Sequence, residues 1–580
     1  MTPSKANGAR ENRFEIALIA VAILFILCIQ ILFLINFNIN WDEFLYLSLI
    51  FEHASGTLSN SLQTFHVHLF AWMTNLEWDE VQLVLLGRSL MLVCELVTVS
   101  CIFLISRRFV SVKFALFGVV SYLASGFVLM QGISFRADPI ITALLMASIY
   151  LLLERSKGFW RFMAASTTVA LACLISIKSV FYIPPLIGAL VWRTRNIGEM
   201  KRKIYIYIGF ASSVLITMLA FYLWHQSTLS PVAPVATGAT SATGLLSRLD
   251  SIFSKVFVEV PFWPRKSFFL SWISPSWPQM LIILAGFFLM WLRHKGQHNA
   301  QLKVSVLFVL PILSIFFYRN AYPYFFPFIV APLMIAVSIG AQEVSGNLSR
   351  KFARSLMVIV LIYMVAYTAG QAYLYSYHHQ TGQRQVISTI HEIFPEPTPY
   401  IDRNSMISRY PKCGFFMSTW GIQSYHRRGK PIFEQVLQEC EPKFLITNSY
   451  QLASVMNAVS LERSSHSFFE QDARLLRSSF IHHWGDIWVA GKRFDPGLLP
   501  TTFNVMIEGT YTVESAEPII LDSQQYSNGD YIFLSKGTHV IDSLRHPVDL
   551  RFGRNLPRPD FMPIRPIYFG FLWHPLNMLK

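Results

Sequence analysis

The chain has 580 residues and a formal net charge of +14, and 53% of its residues are hydrophobic whereas only 14% are charged. Its mean hydropathy of +0.41 lies outside the range of soluble domains, so the composition excludes a purely soluble protein and predicts a polytopic membrane protein. The length also leaves room for a domain outside the membrane. Basic loops that face anionic lipid account for much of the positive charge, so no nucleic-acid partner is predicted.

About eleven apolar segments have the length that is needed to cross a bilayer. They cover residues 14–37, 82–106, 113–132, 138–153, 160–177, 179–193, 204–224, 278–292, 303–318, 322–341 and 354–376. No small-residue cleavage site follows the first segment, which indicates a retained helix rather than a signal peptide. The sequence therefore predicts a helical membrane domain over residues 1–376 with two long outer loops, 38–81 and 225–277.

Every second loop is rich in Lys and Arg, the residues that are retained on the cytoplasmic side of a membrane. These basic loops are the N-terminal tail up to Arg13 and the loops 107–113, 155–161, 193–203, 293–303 and 350–354. The pattern predicts a cytoplasmic N-terminus. An odd number of spans then places the C-terminal part outside, in the periplasm of a bacterial inner membrane.

The outer loops hold few charges, but several hold a cation that the orientation rule disfavours on that side. The candidate site residues in these loops are Arg136 and Asp138 in SFRADP, Lys178 in SIKSVFYIPP, Arg319 in FYRNAYPYF, and the acids Asp42 and Glu43 in NINWDE. A single residue of this kind is an interfacial side chain. Together they predict a polar cavity near the outer ends of the helices.

Four stretches occur in a characteristic order, namely NINWDEFLYLSLIFEHASG, SFRADPIITALLMASIYLLLE, ISIKSVFYIPPL and YRNAYPYFFPFIVAPLMIA. In order and topology they resemble the polytopic GT-C glycosyltransferases, nearest to the branch of protein O-mannosyltransferases and lipid A aminoarabinose transferases. The resemblance covers approximately residues 14 to 376. It implies a GT-C-like fold, a polyprenyl-phosphate sugar donor, a lipid, polysaccharide or protein acceptor, and inversion at the anomeric carbon.

The acid after the first membrane helix is catalytic in these enzymes, and it matches Asp42. A carboxylate can take the proton from an attacking hydroxyl while the anomeric carbon gains oxocarbenium character. The side chains of neighbouring residues on a helix point about 100° apart, so Asp42 and Glu43 cannot both face the same cavity. We assign the general base to Asp42, with Glu43 as the second acid of the predicted catalytic site. The alternative is that both acids only favour a helix start through its dipole.

Positive charge must hold the phosphate and the charge that develops as its bond to the sugar breaks. Arg136, Lys178 and Arg319 fit this role, while Asp138 is predicted to orient the guanidinium of Arg136. For Arg265 and Lys266 the sequence leaves two alternatives open, contacts to the donor phosphate or interfacial anchors.

The chain departs from the related families in the stretch QTFHVHLFAWM. This stretch lacks the acid and the His-Pro-Pro element of the mannosyltransferases and the Glu-Lys pair of the aminoarabinose branch. The acceptor class and the use of a divalent metal stay open, and no metal ligands are assigned. His66 and His225 are predicted as interfacial histidines or as substrate contacts. His66 and His68 diverge on a helix, so they do not form an obvious zinc pair.

A lipid-linked glycan transporter is the competing class of function, and a catalytically silent relative is a further one. Glu95 lies near the middle of the second span, where an acid is costly and indicates function. A transporter is expected to hold several such groups and matching halves. The sequence holds one such acid and no clear internal repeat, which favours an enzyme.

Outside the spans the composition becomes that of a soluble protein. Apolar residues at helical spacing between Leu245 and Val256 predict a helix that lies on the membrane. Residues 377–498 predict an α/β domain and residues 499–580 a β-sandwich-like domain, which could bind carbohydrate or form a lid. Cys413 and Cys440 lie in this region, and spacing alone does not establish a disulfide between them.

Overall fold

A computed structural model describes residues 3–154, 158–230, 262–293, 300–457 and 467–564. The predicted surface helix at 245–256 lies outside these residues. The chain is helical up to Tyr375 and forms a sheet-containing domain after it.

The helical part begins with α1. Its helices are α1 Pro3–Asn36, α2 Trp41–Ala54, α3 Val67–Phe70, α4 Glu80–Ser106, α5 Val112–Leu123, α6 Val128–Gln131, α7 Ala137–Leu153, α8 Phe159–Ile175, α9 Ile183–Thr194, α10 Met200–Ser227, α11 Lys266–Arg293, α12 Ala300–Val309, α13 Phe326–Gly346 and α14 Arg350–Tyr375. Its 3-10 turns are Ala71–Asn75, Ile177–Tyr182, Leu310–Phe316 and Pro323–Phe325.

Six helices in the described ranges are long and apolar enough to cross a membrane. They are Arg13–Asn36, Glu80–Ser106, Met200–Ser227, Lys266–Arg293, Pro323–Gly346 and Arg350–Tyr375. Shorter apolar helices, among them α5, α7 and α8, fill the positions of other predicted segments. A helical membrane region is therefore found, but the predicted count of about eleven spans is not confirmed.

The helix α13 lies at the centre of the helical part and packs against α4, α5, α7, α11 and α12. It is apolar on all sides, and 94% of its most apolar window is buried, as expected of a helix surrounded by protein. Where α11 crosses α13, a Cβ on Gly286 would lie 2.3 Å from the Cα of Gly340. The two glycines therefore allow a close approach of the two backbones.

Two predicted segments have different bounds in the structure. The segment 113–132 is broken because Gly126 has a φ of +48°, which separates α5 from α6. The segment predicted from residue 278 begins earlier, since α11 continues through Pro275 and Pro278. Pro278 cannot donate to the carbonyl of Ser274, but the hydroxyl of Tyr363 donates to it at 2.9 Å.

The C-terminal part contains helices and strands in alternation, followed by strands alone. Its helices are α15 Thr381–Ile393, α16 Thr419–Arg428, α17 Phe433–Cys440, α18 Tyr450–Met456 and α19 Glu470–Ser479. Its strands are β1 Tyr400–Ile401, β2 Phe444–Ile446, β3 Phe480–Trp484, β4 Ile487–Phe494, β5 Thr501–Val505, β6 Gly509–Ser515, β7 Ile519–Leu521, β8 Gln524–Tyr526, β9 Tyr531–Leu534, β10 Gly537–Ile541 and β11 Val548–Phe552.

These strands form two sheets. One has the order β1-β2-β4-β11-β6-β9 with β3 also paired to β4, and the other has the order β5-β10-β7-β8. The pair β1–β2 is parallel and the others are antiparallel. Because β4 pairs with β2 and with β11, strands from both sides of residue 498 share one sheet. A separate β-sandwich is therefore not confirmed, and the division at 498 stays a prediction.

A disulfide joins Cys413 to Cys440, with the Cα atoms 5.9 Å apart. This answers the question that the sequence left open. The bond connects the loop after β1 to the end of α17, and Cys413 is fully buried in the apolar core around these elements. A bond of this kind is typical of proteins in an oxidising compartment.

The C-terminal domain docks on the segment that links α1 to α2. The side-chain amide of Gln383 in α15 donates to the carbonyl of Ile39 at 2.8 Å and accepts from its N–H at 2.8 Å. His391 of the same helix bonds Glu80 at the start of α4 at 2.7 Å. These contacts hold the domain directly over the first turn of α2.

Candidate active site

The first turn of α2 places Asp42 at the boundary between the two parts of the chain. Asn40 caps the helix, because its side-chain oxygen accepts from the N–H of Asp42 at 3.0 Å. The carboxylate of Glu43 accepts from the N–H of Asn40 at 2.9 Å and completes a capping box. Asp42 is thus fixed in the first turn, and 17% of its side chain is exposed.

Glu43 lies in a different environment, with 1% of its side chain exposed. Its carboxylate accepts from Arg88 of α4 at 2.8 and 2.7 Å and from the N–H of Phe135 at 2.9 Å. Burial raises the pKa of Glu43, but the charge and hydrogen bonds of Arg88 and the backbone bonds outweigh burial, so the pKa lies below its usual value. Glu43 therefore joins α2, α4 and the segment before α7.

Asp42 belongs to a network of charges that comes from four parts of the helical region. We call Asp42, Arg136, Asp138, Lys178 and Tyr324 the charged cluster. Arg136 donates to Asp42, and its Nε lies 3.6 Å from Asp138, which in turn accepts from Lys178 at 2.5 Å. The ring of Tyr324 packs under both cations, 3.7 Å from the guanidinium of Arg136 and 4.6 Å from the ammonium of Lys178.

The cluster is almost entirely shielded from water, and this shapes its electrostatics. Burial lowers the pKa of Arg136, but the carboxylates of Asp42 and Asp138 outweigh burial and leave the pKa above its usual value. Burial also lowers the pKa of Lys178, and here the opposing effect of Asp138 is too small to reverse the change. Charges in such a site interact more strongly than in water, as a site for charge stabilisation requires.

Arg319 lies at the contact between the helical part and the C-terminal domain. Its Nη2 donates to Gln423 of α16 at 2.8 Å, and its guanidinium lies 3.2 Å from the ring centroid of Trp420. The indole of Trp420 donates to Asn320 at 3.1 Å. The structure thus brings Arg319 to α16, whereas Arg136 and Lys178 meet at Tyr324.

Arg265 and Lys266 lie at the start of α11. Arg265 donates to the hydroxyl of Tyr322 and, through Nε, to the carbonyl of Arg319 at 3.3 Å. The ring of Tyr322 stacks on that of Tyr324 at 5.8 Å, which links Arg265 to the charged cluster through two aromatic rings. Lys266 points elsewhere, with its ammonium 5.4 Å from the ring centroid of Trp263.

The predicted site histidines His66 and His225 lie at two separate places. The ring of His66 is buried 4.6 Å from the ring of Tyr46, next to the charged cluster. His225 instead bonds His68 at 2.8 Å and Thr64 at 2.9 Å. Among the described residues, no group of three or more His, Cys, Asp and Glu side chains could hold a metal ion.

The C-terminal domain contributes a residue to which sequence reasoning gave no role. The guanidinium of Arg403 lies 4.2 Å from the ring centroid of Trp41, the neighbour of Asp42. Asn404 donates to the carbonyl of Trp41 at 3.3 Å. More than 350 positions separate the two segments along the chain. Nothing in the local pattern around Arg403 indicates this contact, which only the docking of the domain creates.

Acidification is expected to destabilise the protein through His66. Burial is the main effect that lowers the pKa of His66, to about 3, so the folded protein holds it neutral while the unfolded chain protonates it near its usual value. The stability is complete above about pH 6.5 and falls as the pH drops towards 3, by roughly 2 kcal/mol at pH 5. Thermal unfolding of the wild type and of His66→Gln, followed between pH 7.5 and 5, measures this loss.

The variant His66→Gln is expected to lose part of the pH dependence, because its side chain does not titrate. His546→Gln serves as the control, since His546 is 52% exposed and only meets Glu517 at the surface. An unchanged pH dependence in His66→Gln would contradict the assignment.

The fold is similar to that of solved membrane proteins. ArnT from Cupriavidus metallidurans bound to undecaprenyl phosphate has a TM-score of 0.50 and 13% identity, over 77% of this chain and 94% of that one. The Archaeoglobus fulgidus oligosaccharyltransferase in the apo form has a TM-score of 0.52 and 10% identity, over 90% and 76%. The structure of AglB from Archaeoglobus fulgidus with an inhibitory peptide and a dolichol-phosphate has a TM-score of 0.50 and 11% identity, over 90% and 76%. No family model and no curated protein sequence matches the chain.

Proposed function

We propose that this chain, which has the GT-C fold of ArnT and AglB, transfers a sugar from a polyprenyl-phosphate donor to an acceptor hydroxyl at the outer face of the membrane. One observation carries the proposal, namely the ion pair between Asp42, in the first turn of α2, and the buried Arg136, which precedes α7. It places a partly exposed carboxylate beside a cation. Sugar transfer from a phosphate needs both groups, a carboxylate to take the proton and a cation to stabilise the leaving phosphate.

In the proposed reaction, Asp42 is the general base. The acceptor oxygen forms a bond to the anomeric carbon while its proton passes to the carboxylate of Asp42. The bond between the anomeric carbon and the phosphate oxygen breaks, and the electron pair leaves with the lipid phosphate. A single displacement of this kind inverts the anomeric configuration.

The remaining residues of the cluster have supporting roles. Arg136 and Lys178 stabilise the negative charge that grows on the leaving phosphate, and Asp138 holds both cations in position. Glu43 is part of the catalytic site as a positioning residue, because its bonds to Arg88 and to the backbone N–H groups of Asn40 and Phe135 fix the first turn of α2.

Further residues extend the proposed site beyond the charged cluster. Arg265, Lys266 and Arg319 form the outer part of the phosphate-binding region, and Arg265 is linked to the cluster through stacked tyrosines. His66, whose ring lies on Tyr46 next to the charged cluster, is the proposed substrate contact, whereas His225 orders the first outer loop through its bonds to Thr64 and His68. The geometry of Arg319, which is stacked on Trp420, also lets it hold the C-terminal domain over the site.

The proposed location follows from the loop charges. The N-terminus lies in the cytoplasm and the C-terminal domain in the periplasm of a bacterial inner membrane, where the disulfide is stable. The partners are then membrane lipids, the lipid-linked donor and an acceptor that is a lipid, a glycan or a protein.

Transfer of labelled sugar from undecaprenyl-phosphate donors to a membrane extract tests the proposal. The purified full chain is expected to release undecaprenyl phosphate and to label an acceptor, with the heated protein as the control. If no sugar is transferred but liposomes with the chain move lipid-linked sugar between leaflets, the protein is a transporter. In the second span, Glu95 accepts a 3.1 Å hydrogen bond from Gln30, and this one acid gives that alternative little structural support.

A further inference from the structure

The loop over the first turn of α2 is rigidly built. The carboxylate of Asp402 is fully buried and accepts from the N–H groups of Asn404, Ser405 and Met406 at 2.8 to 3.0 Å. The amide of Asn448 also donates to Asp402, at 3.0 Å. This hydrogen-bonded loop is an Asx-type turn, so its backbone holds one conformation and fixes the point from which the side chain of Arg403 extends.

Arg403 is anchored at its backbone and extends towards the charged cluster. Its N–H donates to the side chain of Asn448 at 2.9 Å, and its carbonyl accepts from Met417 at 2.9 Å. Its guanidinium covers the ring of Trp41 at 4.2 Å. The side chain therefore reaches the residue that precedes the proposed base.

The guanidinium of Arg403 has unused hydrogen-bonding capacity. Its Nε is buried without a hydrogen-bond partner, and among the described residues Arg403 forms no ion pair. Asp402 is occupied by its own loop and Asp42 by Arg136. Burial lowers the pKa of Arg403 to about 10, against the opposing effect of Asp42 and Asp402, so the group remains a cation at neutral pH. A buried N–H donor without an acceptor is costly, and a ligand at this site can supply the acceptor.

The charged cluster alone has no surplus positive charge. Its two cations, Arg136 and Lys178, are offset by the carboxylates of Asp42 and Asp138. A phosphate that enters this site needs a further cation. Arg265 and Arg319 already donate to Tyr322 and Gln423, whereas the guanidinium of Arg403 borders Trp41 and its Nε lacks an acceptor.

We infer that Arg403, delivered by the C-terminal domain, binds the phosphate of a lipid substrate next to Asp42. The inference rests on the proposed function and assigns to the C-terminal domain a part of the substrate site. A lipid phosphate can come from two sources, the polyprenyl donor or a phosphorylated lipid acceptor. A planar guanidinium with paired N–H groups suits either phosphate.

Equilibrium binding to the purified full chain in detergent tests this inference with undecaprenyl phosphate and, separately, with phosphatidic acid. Undecaprenol, which has no phosphate, is the ligand control. The variants are Arg403→Gln and Arg403→Lys, and the matched control is Arg474→Gln, because the side chain of Arg474 is 75% exposed and lies at the ion pair with Glu470. Thermal unfolding of each variant shows whether the fold is kept.

We expect Arg403→Gln to bind a lipid phosphate at least tenfold more weakly than the wild type. Arg403→Lys is expected to retain part of the affinity, and Arg474→Gln all of it. A loss for undecaprenyl phosphate alone assigns Arg403 to the donor, and a loss for phosphatidic acid alone assigns it to the acceptor.

Two results would overturn the inference, and they differ in what they say about the proposed function. If the wild type binds a lipid phosphate and folded Arg403→Gln binds it equally well, Arg403 has no phosphate role, while the proposed transfer can still hold. If the wild type binds neither lipid phosphate, the inference and the polyprenyl-phosphate donor fail together.

Discussion

Replacement of Asp42 by Asn is expected to lower the rate of sugar transfer by a factor of about a hundred or more. The amide has nearly the shape of the carboxylate but cannot accept the proton of the attacking hydroxyl. The initial rate of transfer from an undecaprenyl-phosphate sugar, with wild type and Asp42→Asn at equal amounts of folded protein, measures the effect. Binding of the donor is expected to change less than the rate, because the loss lies in the transition state.

Two further variants separate the role of the base from general effects of charge. Asp42→Glu keeps a carboxylate but displaces it, so its rate is expected to lie between those of the wild type and Asp42→Asn. Glu77→Gln removes an exposed acid from the same outer loop and is expected to leave the rate unchanged. A rate in Asp42→Asn that stays within about threefold of the wild type would exclude Asp42 as the base.

The residues that meet in the charged cluster show how far sequence reasoning reaches. The sequence predicts that Asp42, Arg136, Lys178 and Arg319 share one level near the outer ends of the helices, because each follows or precedes an apolar segment. The structure brings Arg136 and Lys178 together on the ring of Tyr324, and Asp42 joins them through its ion pair with Arg136. A sequence can predict this shared level because the thickness of the bilayer fixes the ends of neighbouring helices at a common height. The role of each residue in the reaction stays a prediction.

The bounds of the helices were less predictable, because local rules and tertiary packing disagree. Pro278 marks a helix start by local rules, yet α11 continues through it since Tyr363 of another helix bonds the carbonyl that Pro278 leaves unpaired. The break at Gly126 depends on Trp272, whose indole donates to Ser125 at 2.9 Å. No hydropathy window contains this information.

Contacts between distant parts of the chain were the least predictable. Arg403 carries no motif, and Arg319 fits a phosphate site by composition although the structure stacks it on Trp420 of the C-terminal domain. Both cases depend on how one domain docks on the other. Docking is set by shape and by dispersed hydrogen bonds, such as those of Gln383, rather than by a periodic pattern.

Glu43→Gln is expected to destabilise the protein by about 3 to 5 kcal/mol, because it leaves the buried charge of Arg88 without its partner. The side chains of Glu43 and Arg88 are only 1% and 4% exposed, and Arg88 also donates to the carbonyls of Phe37 and Asn38 at 2.8 Å. The loss would loosen the turn that presents Asp42. The melting temperature in detergent without ligand and the expression yield of folded protein measure the effect.

The double variant Glu43→Leu with Arg88→Met distinguishes a broken pair from a lost contact. It removes both charges, so it is expected to be more stable than Glu43→Gln. The losses of stability caused by the single changes Glu43→Leu and Arg88→Met should not add up in the double variant. Glu470→Gln breaks an exposed ion pair with Arg474 and is expected to leave the melting temperature unchanged. If Glu43→Gln melts at the temperature of the wild type, the pair does not hold the first turn of α2.

The pH dependence of the stability gives a second test of the role of Glu43. Because the pKa of Glu43 lies below its usual value of 4.5 in the folded protein, the stability it contributes is present above that value and is lost as the pH falls through the lowered pKa. His66 acts at a higher pH, between about 6.5 and 3. Wild type is thus expected to lose stability in two steps on acidification, and Glu43→Gln should lack the lower step while it retains the upper one. Asp42 lies in the turn that Glu43 fixes, so the transfer rate of Glu43→Gln should fall together with its stability. The rate should recover in the double variant. The rate of Asp42→Asn should not recover when the protein is stabilised, because this variant lacks the base itself.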